Sequence, residues 1–529
     1  MIALESLPND VGELKEIISN LLDANNAKER KIDLLLEEIE LWKKRIFKPK
    51  SERYLGEDNG QQFLFNEAEM ETDKESVTSN QREKITVSGY SRKKAGRTKL
   101  PASLPREIID IDINKEDKTC AAGKERKFIK WEISEKLEIK PPEIKVIQTR
   151  RAVYGCPDPC CVTCEEQEDT PIRTAPLQPQ LLEKTIITPG LAAFILTSKF
   201  CDHLPFYRLE RIFKRYDIDI CRQTMCRWAI ELYRKLGIFI ELFWKELLSG
   251  PMIGIDETTL QVIMEPGRKA QTKSYLFVFR GGNPRAPTIL FEYKETRSAK
   301  FLLDRLNHYK GYIQTDSYRS YNALEELSGI TLIGCWAHAR RRFDEAAAVS
   351  KNSGSAHVAL SMIQKLYLIE EKGKELEPDE RKQLRQEKAV PVLETIKEWL
   401  DKKKPEILPE SYLGKAVGYA CKYWSRLVRY VEDGIVPIDN NGVERALRPE
   451  CIGKKNWLFA FTPSGAEASS FHYSVIESAK ANFLDPYWYL RYLFENIIHA
   501  KTEDDFMALM PQYVDKSRIR EYRLPGKWS

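Results

Sequence analysis

"GPMIGIDETTLQVIM" (residues 250–264) opens on a Gly-Pro turn, runs through the apolar residues Met252, Ile253 and Ile255, breaks into the polar "DETT", and returns to Leu260 and Val262. It reads as a β-strand whose middle carries chemistry. "SYLFVFRGG" (274–282) and "TILFEYKE" (288–295) follow, each rich in aromatic and β-branched residues and separated by turn formers. Three such runs in succession predict an antiparallel meander. Beyond them come a helix, "SAKFLLDRL", the strand "GYIQTD", a second helix and the strand "ITLIGC". Strands that begin as hairpins and then alternate with helices specify a mixed five-stranded sheet with helices on its faces.

The first strand bears Asp256 and the fourth ends at Asp316, 60 residues later. A carboxylate at a strand end commonly forms a turn, because its oxygens accept nearby backbone N–H groups. Asp316 alone asks for nothing more. A mixed sheet can, however, make these two strands neighbours, and a third acid stands in "IDNNGVERALRPECIGKKNWLF" (438–459). There "NNGVERALRP" reads as a capped helix start with Glu444 in its first turns. The 128 residues between Asp316 and Glu444 include a polar helical stretch, about 345–430, that can be inserted without disturbing the sheet. Three converging carboxylates repel one another unless a cation neutralises them, and hard oxygen donors suit Mg²⁺ or Mn²⁺. Two such ions about 4 Å apart support in-line phosphoryl displacement. Arg340, Arg341 and Arg342 of "CWAHARRRF", with Arg445, Arg448, Lys454 and Lys455, surround the acids with positive charge. A polyanion would balance it.

Upstream, residues 175–250 are helical in pattern, and "RLERIFKRYDIDICRQTMCRWAIEL" (208–232) has the form helix, short turn, helix. Its second helix carries Arg222, Gln223, Thr224 and Arg227 on a polar face that can enter a major groove. Residues 105–155 alternate short apolar segments ahead of "CPDPCCVTC". Cys156, Cys160, Cys161 and Cys164, with Cys120 as an additional ligand, are candidates for a Zn²⁺ site. Residues 51–100 are polar and aperiodic, acidic then basic, and are expected to be a flexible linker. Residues 11–46 carry a heptad repeat with Val11, Leu14, Ile18, Leu21, Asn25, Lys28, Ile32, Leu35, Ile39, Trp42 and Ile46 at a and d. Nine of these eleven are apolar, which predicts a self-associating coiled coil with a central polar pair. The last stretch, 501–529, is expected to be a tail.

At 529 residues the chain exceeds one core and divides into several domains. No basic, apolar leader pattern opens it and no run of eighteen apolar residues occurs, so a soluble intracellular protein without membrane contact is expected. Eleven cysteines in such a chain argue for thiols or a metal rather than disulfides.

Taken together, "RIFKPKSERY", "SKFCDHLPFYRLERIF", "IDETTLQV", "IQTDSYRSYN", "CWAHARRRF", "IDNNGVERALRP" and "GKKNWLFAFTPSGAEASSFHYSVIESAKANFLDPYWYL" resemble the transposases of the insertion sequence 66 family, a branch of the DDE transposases. The resemblance implies a ribonuclease-H-like catalytic core within a mainly α, multidomain chain. It implies catalytic, metal-binding acids at Asp256, Asp316 and Glu444 and a basic motif at His338, Arg340 and Lys455, with Arg340 and Lys455 beside the acids. It also implies double-stranded DNA as partner, homo-oligomerisation, accessory proteins of the same element and a cytoplasmic, nucleoid-associated place in a bacterium. The family's first cysteine knuckle is incomplete here, because Gly123 stands where its second cysteine is expected. The competing reading is a non-catalytic DNA-binding repressor of element ends, for which three converging acids have no use.

Overall fold

The computed structural model describes residues 10–47, 144–155, 172–174, 176, 178–316, 318–349 and 354–522. The chain forms two compact units, residues 51–177 and the remainder. In the smaller, strands β1 (Val153–Gly155) and β2 (Ile172–Thr174) pair antiparallel. Cys120, Cys156, Cys160, Cys161 and Cys164, the linker and the strands expected over 105–143 lie outside the described residues.

The larger unit begins with helix α1 (Val11–Phe47), and helices α2 (Pro189–Phe200), α3 (Phe206–Lys214), α4 (Arg222–Leu236) and α5 (Ile238–Ser249) lead into the sheet. Strands β3 (Met252–Gln261), β4 (Lys273–Asn283) and β5 (Ala286–Lys294), helix α6 (Lys300–Leu306), strand β6 (Gly311–Gln314) and strand β7 (Ile330–Ile333) follow. Helices α7 (Trp336–Val349), α8 (Ser355–Lys372), α9 (Pro378–Leu384), α10 (Val390–Lys403), α11 (Tyr412–Lys422) and α12 (Trp424–Val428) come next. The described chain closes with α13 (Asn441–Trp457), α14 (Pro463–Ala481), α15 (Pro486–Asn496), α16 (Glu503–Ala508) and α17 (Lys516–Tyr522).

The sheet has the order β5-β4-β3-β6-β7. The meander pairs antiparallel, whereas β3, β6 and β7 run parallel, as the change from hairpins to helical crossovers requires. Ile253, Ile255, Phe277 and Phe279 are buried in its centre. Helix α5 packs Phe239, Phe243 and Trp244 into that core, with the Trp244 ring 4.7 Å from Phe279.

The outer strand β5 would leave buried N–H and C=O groups unpaired. Helix α14 supplies their partners. Ser478 Oγ accepts from Ile289 N–H at 2.9 Å and donates to Ile289 O at 2.8 Å, and Ser474 Oγ accepts from Phe291 N–H at 2.8 Å. Asn482 Nδ2 donates to Pro287 O at 2.9 Å. Four helical residues rise about 6 Å and two strand residues about 6.6 Å, so positions 474, 478 and 482 keep step with 291, 289 and 287.

Within the helical insertion, α8 to α12, helices α8, α10, α11 and α12 build a second apolar core with α7 around Trp336, Phe343, Leu366, Leu400 and Leu427. The element expected as a helix between β6 and β7 is 3₁₀, over Arg319–Glu326. The expected tail is partly a folded element, since Leu509, Met510, Val514 and Ile519 enter the main core. Helix α1 exists over the heptad stretch, and Ile18, Leu21, Ile32, Leu35 and Ile39 of its seam are 50–55% exposed. No described helix is long and apolar enough to cross a membrane.

Ser474→Ala or Ser478→Ala should each lower the unfolding free energy by about 1–3 kcal/mol, because a buried strand group loses its partner. Thr395→Ala, whose exposed hydroxyl bonds Pro391 O of its own helix, should change it by less than about 0.5 kcal/mol in the same denaturant titration.

Candidate active site

The parallel pairing of β3 with β6 aligns Met252 with Tyr312 and Gly254 with Gln314. The pairing ends there, two residues short of Asp256 and of Asp316, and the two acids leave the ends of this pairing close enough for the charge of Asp316 to act on Asp256. Asp256 Oδ1 accepts from Glu257 N–H at 2.8 Å. Asp316 Oδ1 accepts from Tyr318 N–H at 2.8 Å, so it does form the turn that its position alone predicts. Its other oxygen stands 3.8 Å from Arg297 Nη2.

Helix α13 delivers Glu444 to the same place. Asn440, at its N-cap, donates from Nδ2 to Ile255 O at 2.9 Å and from its backbone to Cys335 Sγ at 3.2 Å. The approach requires Gly254, where a Cβ would stand 2.5 Å from Val443 Cγ2 and 2.7 Å from Asn440 Oδ1. Gly254 and Asp256 share one face of β3, since strand side chains alternate, and that is the face α13 meets. Glu444 Oε2 lies 3.4 Å from Arg341 and Oε1 lies 3.7 Å from His338 Nε2, both on α7.

Burial pushes the Asp256 carboxyl up to about 7, and the charges of Glu257, Asp316 and Glu444 add to the shift. Glu257 is also raised by burial, opposed by the Tyr321 hydroxyl and by Arg297, both of which touch its carboxylate. Burial lowers His338 despite the attraction of Glu444.

Sequence reasoning missed Glu257 and Arg297. The signal was present in "DE": adjacent strand residues face opposite ways, so a buried second acid needs its own cation. Arg297 is that cation, lying 3.2 Å above the Tyr318 ring centroid and reaching both Glu257 and Asp316.

Of the basic residues, Arg341 rather than Arg340 reaches Glu444, while Arg340 turns toward the Tyr367 ring at 6.0 Å. Lys455 is exposed three turns down α13 from Glu444, not beside the acids. Lys454 donates to Thr258 Oγ1 at 3.2 Å and to Thr259 O, fastening α13 to β3. Arg445 and Arg448 are exposed, as are Arg222 and Arg227 on α4. The connection between α3 and α4 covers residues 215–221, longer than the short turn expected. Among the described residues, Cys335, His338 and Glu444 form one group of donor atoms within 4.8 Å of one another. The Cys335 thiol is fully buried and pushed up to about 12, a soft protonated donor unlike the carboxylates beside it.

The family described as "Transposase IS66 family" matches residues 184–468, which hold the whole sheet, α7, α13 and all three acids. The chain belongs to the transposase IS66 family. The "IS66 C-terminal element" matches residues 474–512, and "Transposase C of IS166 homeodomain" matches residues 34–109. Similar proteins of Sinorhizobium fredii include uncharacterized protein y4qI, 27% identical over 97% of this chain and 98% of its own length. Uncharacterized protein y4jD is 30% identical over 76% of this chain and 79% of its own. By family, then, this IS66 transposase is a DNA-processing protein.

In the unfolded chain Asp256 ionises near the ordinary aspartate value of about 3.9. In the folded protein it does so at about 7, so between these values the folded state retains a proton that the unfolded state has lost. Its contribution to stability therefore falls as pH rises from about 4 to about 7 and stays unfavourable above. Asp256→Asn should be more stable than the wild type at pH 8, by on the order of a few kcal/mol, with the gain gone near pH 4. Denaturation curves at the two pH values check this.

Proposed function

We propose that this transposase cleaves and joins DNA by DDE-type chemistry, with Asp256, Asp316 and Glu444 together holding divalent cations in a ribonuclease-H-like core. The observation that carries the reading is convergence: acids separated by 60 and 128 residues arrive at one place from two adjacent parallel strands and a helix. The sheet order, three antiparallel strands followed by two parallel ones, supports the core assignment.

The residues present fit Mg²⁺ or Mn²⁺. All three offer hard oxygen donors, Glu444 Oε1 is buried with no hydrogen-bond donor among the described residues, and Asp256 carries a repulsion that a cation would cancel. When bound, the ions supply Lewis-acid activation of the attacking and leaving oxygens of a phosphodiester. Arg341 and His338 hold the Glu444 carboxylate in orientation, and Arg297 does the same for Asp316. Water attacks the phosphorus at an element end and the 3′-oxygen leaves as a hydroxyl. That hydroxyl then attacks a target phosphodiester and displaces the target's own 3′-oxygen. The exposed Arg222 and Arg227 of α4 contact the element-end duplex, and the half-exposed seam of α1 pairs protomers.

With Mg²⁺ and DNA carrying the element's ends, Asp256→Asn, Asp316→Asn and Glu444→Gln should each abolish cleavage and strand transfer while end binding persists, because phosphate contacts come from other groups. Full strand transfer by any of the three would overturn the reading, and a wild type that binds without cutting would make the protein a repressor. Deleting residues 11–46 should lower the oligomeric state in sedimentation, and an unchanged oligomer removes the pairing role of α1.

A further inference from the structure

Arg445, Arg448, Ile452 and Lys455 are all exposed on α13. Their spacing of three, four and three residues places them on one helix face. The stripe begins one residue from Glu444, and no carboxylate forms an ion pair with its three cations among the described residues. At its far end the helix stops at Leu458, held at φ +70°, and the chain turns onto the end of β3. Ala460 N–H donates to Gln261 O at 3.0 Å, Ile263 N–H to Ala460 O at 3.1 Å, and Met264 N–H to Phe461 O at 2.9 Å.

This added strand-like segment explains a contrast in burial. Ala460 packs inward on the small cluster of Leu260, Val262 and Ala466. Phe459 and Phe461, one residue to either side, turn outward and are 42% and 62% exposed. Two half-exposed rings thus stand at the end of the cationic track, while the small cluster beneath them closes with Ala460. The fourteen residues from Glu444 to Leu458 span about 21 Å of helix, and the five from Asp256 to Gln261 about 17 Å of strand. At a rise of about 3.4 Å per nucleotide the rings stand roughly five or six nucleotides from the acids. Along an extended chain Phe459 and Phe461 are about 6.8 Å apart, twice the rise of a stacked base.

We propose that the α13 stripe tracks one DNA strand away from the scissile phosphate and that Phe459 and Phe461 receive an unpaired base of that strand by stacking. The cations supply affinity for the backbone, and the rings accept any base, because every base presents a π-face. The assignment rests on the DNA-cleaving reading for which end of the stripe meets the scissile phosphate. The occupant is nucleic acid rather than protein because the rings continue a cationic track that starts beside the acids.

The test uses the full-length protein and fluorescence anisotropy with two labelled probes of equal length, an oligothymidylate and an abasic backbone. The wild type should prefer the oligothymidylate by about tenfold or more, as base–aromatic stacking carries. The doubly substituted F459A/F461A protein should lose that preference while binding the abasic probe as before, and F459W/F461W should keep it. Unchanged thermal unfolding of the alanine variant establishes that it is folded. A wild type without preference, a preference that survives both alanines, or a fall in oligomeric state with the preference intact would each overturn the proposal. Asp256→Asn should retain the preference. A protein that prefers bases but never cleaves overturns the DNA-cleaving reading alone, and one that cleaves without preferring bases overturns this proposal alone.

Discussion

The candidate site depends on how closely α13 approaches β3. A helix normally lies about 10 Å from a sheet, with side chains filling the gap. At Gly254 the strand offers no side chain, and the space a Cβ would take is filled by Val443 and Asn440. Asn440 then reaches the main chain itself, through its bond to Ile255 O. Because Asn440 caps the helix, that single contact sets where α13 starts, and Glu444 follows four residues later over the face that carries Asp256. Lys454 fastens the other end of the helix to Thr258 and Thr259. Two anchors, Asn440 and Lys454, fourteen residues apart, fix the helix axis along the strand.

Charge is handled differently at this site and in the helical insertion. In the insertion Arg385 is buried, yet it gives two bonds to Glu370, at 2.9 and 2.6 Å, and two more to Tyr430 O and Asp433 O. That pair is satisfied and explains a fold. Around Asp256 the balance is incomplete: four carboxylates meet Arg297, Arg341 and a His338 whose burial favours the neutral ring. A buried network that leaves its central acid at about 7 is a poor way to stabilise a protein. It is the arrangement expected where like charges are held together for a ligand.

Much of the sheet was legible in the sequence, because hairpin strands alternate with turn residues and the later strands are marked off by helices. "GPMIGIDETTLQVIM", "GYIQTD" and "ITLIGC" appear as β3, β6 and β7, and the mixed sheet has the anticipated strands. The polar helical interval between Asp316 and Glu444 was legible for the same reason, as a period of 3.6 replaces a period of 2. Long-range geometry was not. Nothing in "TRS" says that Arg297 will stack on Tyr318, and nothing in "CWAHARRRF" says which arginine faces the acids. His338 and Arg341 are one turn apart and share a face, while Arg340 is rotated toward Tyr367; that choice belongs to the packing of α7, not to its composition. The contribution of α16 and α17 to the core was missed because their apolar residues are too sparse to show a period.

An insertion between the second and third acids raises a geometric question: how can helices α8 to α12 intervene without displacing Glu444? The chain leaves the sheet after β7 and returns to it at almost the same point. Trp336 N–H donates to Ile438 O at 3.2 Å, Asn440 N–H to Cys335 Sγ at 3.2 Å, and Gln314 Nε2 joins Gly334 O and Pro437 O across the junction. Outgoing and incoming segments are therefore bonded to each other at the root of the insertion. The insertion closes an apolar core with α7 beyond that root, so its length does not bear on the spacing of the acids. What must be preserved is the root, and its buried donors, Gln314 and Asn440, lie within two and four residues of Asp316 and Glu444, respectively.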